Sequence, residues 1–223
     1  MNKLRIVFIS LIASALMVLP STAKEVRVGI AAGMTAIAAE GKETLKSSGR
    51  IQKSEAANIA VIPSIFAEFA SDNGFGLGLE VVSGSADINS ATRSRTLDNG
   101  TSNDSGTNKA SAEVDGLDTI YLIKKFNSGL LVKFGKTTAD VTTVETLSSG
   151  TTYGNKSVDG TTIGIGWETS NDNGLFVRTT VESTSFDSLK LTGSQAGADA
   201  ASFNVVDADI DMTMAKISVG KVF

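Results

Sequence analysis

A two-residue alternation of apolar against small or charged positions runs through most of the chain beyond its first two dozen residues. In "SDNGFGLGLEVV", residues 71–82, Phe75, Leu77, Leu79 and Val81 alternate with Gly76, Gly78, Glu80 and Val82. That period belongs to a strand with one apolar face. The same glycines resemble a phosphate-binding loop, but such a loop needs a helix behind it, and none is signalled here.

Eight segments carry the alternation: 25–38, 58–70, 75–82, 117–126, 127–136, 161–169, 170–182 and 208–223. Three pairs of them are joined by short Asn/Ser/Asp-Gly turns at about 71–74, 127–129 and 170–174, the residues that tight hairpins demand. The other four connections, roughly 40–56, 86–113, 138–160 and 186–207, are long and rich in Gly, Ser, Thr, Asn and Asp. Within them "SRTLDNGTSNDSGTNKAS", 94–111, is poor in apolar residues and is expected to be exposed and mobile. Short turns on one side and long polar loops on the other is the pattern of an outer-membrane barrel. The expected fold is all-β: an eight-stranded antiparallel up-and-down transmembrane β-barrel with short periplasmic turns and long extracellular loops.

Parity assigns the faces. The outward set includes Val28, Ile30, Met34, Ile59, Val61, Ile65, Leu130, Val132, Phe134, Ile163, Ile165, Val177, Val181, Ile217 and Val219, and none of it is charged. The opposite parity holds Arg27, Glu68, Glu80, Lys133, Glu168, Arg178, Glu182 and Lys216, four of each sign, expected as a charge network in the lumen. A charge on the lipid face at mid-bilayer costs ~2–4 kcal/mol, so this segregation is the arrangement a spanning barrel requires. Gly29, Gly33, Gly76, Gly78, Gly135, Gly164, Gly166 and Gly220 share the charged parity, where they are expected to leave room for Arg and Lys stems. Segment 117–126 is mixed on both faces, as a bulge that switches faces would make it. Phe66, Phe69, Phe75, Phe126, Trp167, Phe176 and Phe223 lie near short turns or the C-terminus. Most of them are expected at one interface, with Phe69, Phe75, Trp167 and Phe223 forming the aromatic girdle.

Residues 1–23 carry Lys3 and Arg5, an apolar run from Ile6 to Leu19, then Ser21 and Ala23 at positions a signal peptidase reads. They are expected to be a cleaved export signal, leaving 24–223 as a single barrel domain. That remainder has 18 basic and 24 acidic side chains, a net charge near −6, which argues against nucleic-acid binding.

The closing strand "AKISVGKVF" places Ile217, Val219 and Phe223 on one parity. It resembles the terminal signal by which the barrel-assembly machinery recognises outer-membrane barrels. Lys221 departs from the apolar residue usual at its place. With the export signal, the eight strands and the alternating loops, the chain resembles the small outer-membrane barrels of the OmpA-transmembrane-domain, OmpX and opacity-protein type. The resemblance implies an outer-membrane location and handling by periplasmic chaperones and the assembly machinery. It implies contact with lipid and lipopolysaccharide, and a monomer. It extends to no peptidoglycan-binding domain.

The chain has no histidine and no cysteine. The outer-membrane enzymes of this architecture resemble one another in needing a histidine as base or nucleophile partner, so no enzyme activity and no cofactor are expected. Glu168 and Glu182 read as lumen ion pairs rather than as an acid and a base. The carboxylates of "DADID", 207–211, read as a solvated acidic rim. The expected role is structural or surface-interacting, with a charge-filled lumen; the alternative is a narrow porin-like channel for small solutes.

Overall fold

The computed structural model describes residues 25–44, 49, 51–88, 93–95, 106–146, 152–194 and 204–223. The segment expected to be the export signal lies outside them. Its strands are β1 (Glu25–Thr44), β2 (Ile51–Ala70), β3 (Phe75–Val82), β4 (Ala86–Ile88), β5 (Arg93–Arg95) and β6 (Gly106–Lys125). They continue as β7 (Leu130–Thr146), β8 (Thr152–Tyr153), β9 (Lys156–Ser170), β10 (Leu175–Phe186), β11 (Leu189–Ser194) and β12 (Val205–Val222). All pairings are antiparallel, and β1 pairs with β12 to close the sheet. The short strands extend long ones: β4 and β5 continue β3 along β6, and β11 continues β10 along β12. The wall therefore has eight staves.

Register fixes the tilt. A walk from Phe69 through Leu77, Leu122, Phe134, Ile163, Ser183, Thr213 and Ala36 returns to β2 at Ile59, ten residues from its start. Such a stagger tilts the strands of a small barrel by roughly 35–45° and leaves an interior just wide enough for side chains to fill.

The three short turns are built alike. Each glycine N–H donates to the carbonyl three residues back, as in Gly74 to Ser71 at 2.8 Å and Gly174 to Asn171 at 3.0 Å. Gly74, Gly129 and Gly174 have φ of 77°, 92° and 78°, where only glycine sits without strain. Their carbonyls accept from Lys125, Glu168 and Val222 N–H at 2.8, 2.9 and 2.8 Å, so each turn is stitched to the next hairpin.

Among the described residues the wall is thin between β2 and β3. β2 pairs with β3 only between Ser64↔Val82 and Ala70↔Gly76. Pro63 O accepts from Ser83 N–H at 2.8 Å, but proline has no N–H to return. Above it Asn58 bridges the gap: its Nδ2 donates to Asp87 O at 2.6 Å and its Oδ1 accepts from Ile59 N–H at 2.8 Å.

Much of what composition marks as loop is paired strand. Thr44↔Ile51, Lys109↔Thr146, Val141↔Lys156 and Thr192↔Val205 all lie inside or at the edge of the expected loops. In segment 94–111, residues 94–95 pair with 106–107, while 96–105 lie outside the described residues. The cause is an inversion of faces. From the turns to about Thr213 the buried charged groups point inward, with a few rings and Ile123 and Leu131 among them, and the outward positions are mostly apolar. Beyond that level the inward positions hold Ile37, Ile62, Val82, Ile88, Val114, Leu117, Val141, Val158, Phe186, Leu191, Ile210 and Met212 in one buried cluster. Many of the outward positions there are exposed and charged: Glu40, Lys42, Lys53, Glu55, Asp87, Lys190, Asp207, Asp209 and Asp211. The lower half is a membrane barrel, and the upper half is a barrel of the water-soluble kind stacked on it.

β6 carries the expected bulge, at the start of the mixed segment. Its register with β7 shifts between Asp115 and Asp118, and Gly116 has φ 63°. Above the bulge Ala112 and Val114 face inward. Below it Thr119, Tyr121, Ile123 and Lys125 do, so one inserted residue switches parity.

Candidate functional site

Among the described residues, the polar lumen is where the fold gathers ionisable groups in its interior. Arg27, Glu68, Glu80, Lys133, Glu168, Arg178, Glu182 and Lys216 are all buried. They meet in two storeys.

In the lower storey Arg178 makes a two-pronged contact with Glu68, at 2.5 and 2.7 Å, and reaches Glu168 from Nε at 2.9 Å and Nη2 at 2.7 Å. Arg27 reaches Glu168 at 3.3 Å and Glu25 at 2.6 Å. In the upper storey Lys133 lies 2.7 Å from Glu80 and 3.1 Å from Glu182, while Lys216 lies 2.7 Å from Glu80 and 2.8 Å from Glu182. Each lysine thus bridges both carboxylates. Buried charges persist only when paired and hydrogen-bonded in this way.

Four partners escaped the parity reading. Lys125 sits 2.5 Å from Glu168 at the periplasmic mouth. Tyr121 joins the storeys: its hydroxyl donates to Glu68 at 2.7 Å, and Lys133 Nζ stands 3.9 Å from the centre of its ring. Both residues face inward only because of the bulge. Ser64 donates to Glu80 at 2.7 Å. The fourth feature is a chain of hydroxyls above the upper storey: Thr119 to Thr137 at 2.8 Å, Thr137 to Thr162 at 2.5 Å, and Thr162 to Thr184 at 2.6 Å. It crosses β6, β7, β9 and β10 at the level where the faces invert. Threonine in period-two strands was the available signal.

Two aromatic assignments need correction. Phe66 and Phe176 are 4% and 2% exposed and lie inside the lumen, with ring centres 6.1 Å apart. The Arg178 guanidinium stacks 5.2 and 5.3 Å from them. Nearness to a turn suggested the rim, but both share parity with Arg178 and Glu68. Phe75, Trp167 and Phe223 point outward at 59%, 51% and 69% exposure, and Phe69 is half-buried. Lys124 Nζ caps the Phe75 ring at 4.2 Å and Lys221 Nζ the Phe223 ring at 5.3 Å.

The inward glycines also make room differently than expected. A methyl group at Gly29 would strike the Phe66 ring, at Gly78 the Tyr121 ring and at Gly220 the Phe176 ring. Charged stems lie over two others, that of Lys216 over Gly33 and those of Glu182 and Lys133 over Gly164. Rings lying over glycine on a neighbouring strand fill a narrow barrel with little lost volume.

On the outside, the uncharged outward set is exposed as a belt that includes Ile30, Met34, Val61, Ile163, Ile165, Ile217 and Val219. From Val28 to Ala36 the β1 share of it spans ~20 Å along the axis at ~3.4 Å per residue and ~40° tilt, near the ~25 Å band of a spanning barrel. Lys136 and Asp159 pair outward at 2.8 Å just above Phe134 and Ile163, and end the belt on that side.

No protein-family model matches the sequence, and no curated protein matches it. Among solved structures, the outer membrane protein OprG from Pseudomonas aeruginosa matches over 91% of this chain and 97% of its own, with a TM-score of 0.59 and 15% identity. The outer membrane protein AlkL, solved by solid-state NMR in DMPC bilayers, matches over 92% of this chain and 93% of its own, with a TM-score of 0.53 and 12% identity. At such identities the likeness is one of fold. The closed eight-stave barrel and its lipid-facing belt give this chain the fold of the small outer-membrane β-barrels.

Proposed function

We propose that the protein is a closed, non-enzymatic outer-membrane scaffold that acts as a monomer and holds its extracellular connections on a rigid pedestal. The observation that carries this reading is the filled interior. The two cavities that flank the lumen ion pairs are about 10 Å³ each, room for about one water apiece. The lumen carboxylates of Glu68, Glu80, Glu168 and Glu182 are each held by at least one cation, which leaves none free as a general base. The upper barrel adds stiffness, because its apolar interior packs like the core of a soluble protein.

The exposed Lys42, Lys53 and Lys190 above the belt suit the phosphates of lipopolysaccharide. Ile217, Val219 and Phe223 on one lipid-facing parity suit recognition by the assembly machinery. The test is swelling of liposomes in isotonic sugar. Vesicles holding the protein should swell no faster than empty ones; rapid swelling would put the narrow channel in place of the scaffold.

A further inference from the structure

We propose that the seal against water and ions is the apolar layer of the extracellular half, and that the charged lumen beneath it is a hydrated antechamber. The inference rests on the closed-scaffold reading and says where the closure lies. Both cavities flank the Lys133–Glu80–Lys216–Glu182 group, one beside Tyr121 and Thr180, the other between the threonine chain and the lower edge of the apolar layer at Val82, Leu117, Met212 and Met214. Thr180 is 6% exposed, lines the first cavity, and its hydroxyl has no partner. A cavity of that size with several polar neighbours holds a water. At the periplasmic end Glu25 and Lys125 are partly exposed and belong to the same ion-pair column. A polar path therefore runs from the periplasm up to the threonine chain.

Above that chain it stops. Met214, Met212 and Ile210 follow one another up the inner face of β12, in one buried cluster with Ile37, Leu117 and Phe186. At ~3.4 Å per residue and ~40° tilt this apolar layer is about 10 Å thick. A water or ion entering it forfeits hydrogen bonds that nothing there replaces, and apolar constrictions of this kind stay dry. Rearranging the ion pairs below leaves that layer untouched.

Planar-bilayer conductance of the full chain tests the idea with two sets of substitutions, each checked for heat-modifiable folding. Neutralising the charged group from both sides (Lys133→Met, Lys216→Met, Glu80→Gln, Glu182→Gln) should leave the current at the unmodified level. Opening the apolar layer (Ile37→Ser, Leu117→Ser, Met212→Ser) should raise it by about tenfold or more. The reverse pattern, or no rise in either, overturns the proposal. A steady current from the unmodified protein would instead overturn the scaffold reading, and the seal with it. A second measurement needs only single substitutions, since the chain has no cysteine. Silver ions added on the periplasmic side should react with Thr180→Cys about a hundredfold faster than with Ile62→Cys, because only the former borders the polar path. Equal rates would overturn the proposal.

Discussion

The two halves of this barrel share one wall and obey opposite solvents. In the lower half Val181 and Ile217 face out while Glu182 and Lys216 face in; along the same staves Lys190 and Asp209 face out while Leu191 and Ile210 face in. The backbone ladder runs through both halves, so hydrogen bonding does not distinguish them. What changes is where burial is favourable: against lipid in the lower half, against the barrel's own interior in the upper. Hydrophobic pattern thus reports the surroundings of a strand rather than its existence.

Substitutions that move a group to the wrong side of one half, and to the right side of the other, sharpen that contrast. The largest loss is expected for Arg178→Ala, which strips Glu68 and Glu168 of their shared guanidinium and removes the cation between Phe66 and Phe176. Breaking a buried pair costs about 3–5 kcal/mol, and urea unfolding in lipid vesicles should show a loss of that order, reduced where lumen water reaches the stranded carboxylates. Ile165→Arg, on the outward face in mid-belt, should cost about 2–4 kcal/mol in the same assay. Thr192→Arg, outward in the upper half, should stay within about 0.5 kcal/mol. Equal penalties at 165 and 192 would erase the difference between the halves. Tyr121→Phe removes one hydroxyl donor from Glu68 while keeping the ring under Lys133, and should cost about 1–3 kcal/mol. A smaller loss is expected for Asn58→Ala, about 1 kcal/mol, with faster hydrogen exchange at Ile59 and none at the turns.

The lower half was legible in the sequence because lipid enforces a clean alternation. Arg27, Glu68, Glu80, Lys133, Glu168, Arg178, Glu182 and Lys216 could be placed by parity alone. The upper half was not, because its outward residues have the composition of loops and its inward ones come singly, as in "LKLTGS" of β11. Parity had already marked Phe66 and Phe176 as inward, and closeness to the turns overrode it. Tyr121 and Lys125 stayed hidden because their facing depends on where the one-residue bulge falls, at Gly116, and the mixed pattern of 117–126 signals a bulge without its position.

The inversion itself can be measured along one strand. Single cysteines on the outward parity of β12, at 219, 217, 215, 213, 211 and 209, carry a spin label whose accessibility to oxygen and to a water-soluble nickel chelate is compared in lipid bilayers. Oxygen should dominate at Val219, Ile217 and Ala215, the two should balance near Thr213, and the chelate should dominate at Asp211 and Asp209. Lipid-like accessibility at Asp209, or water-like accessibility at Ile217, would contradict the two-solvent barrel.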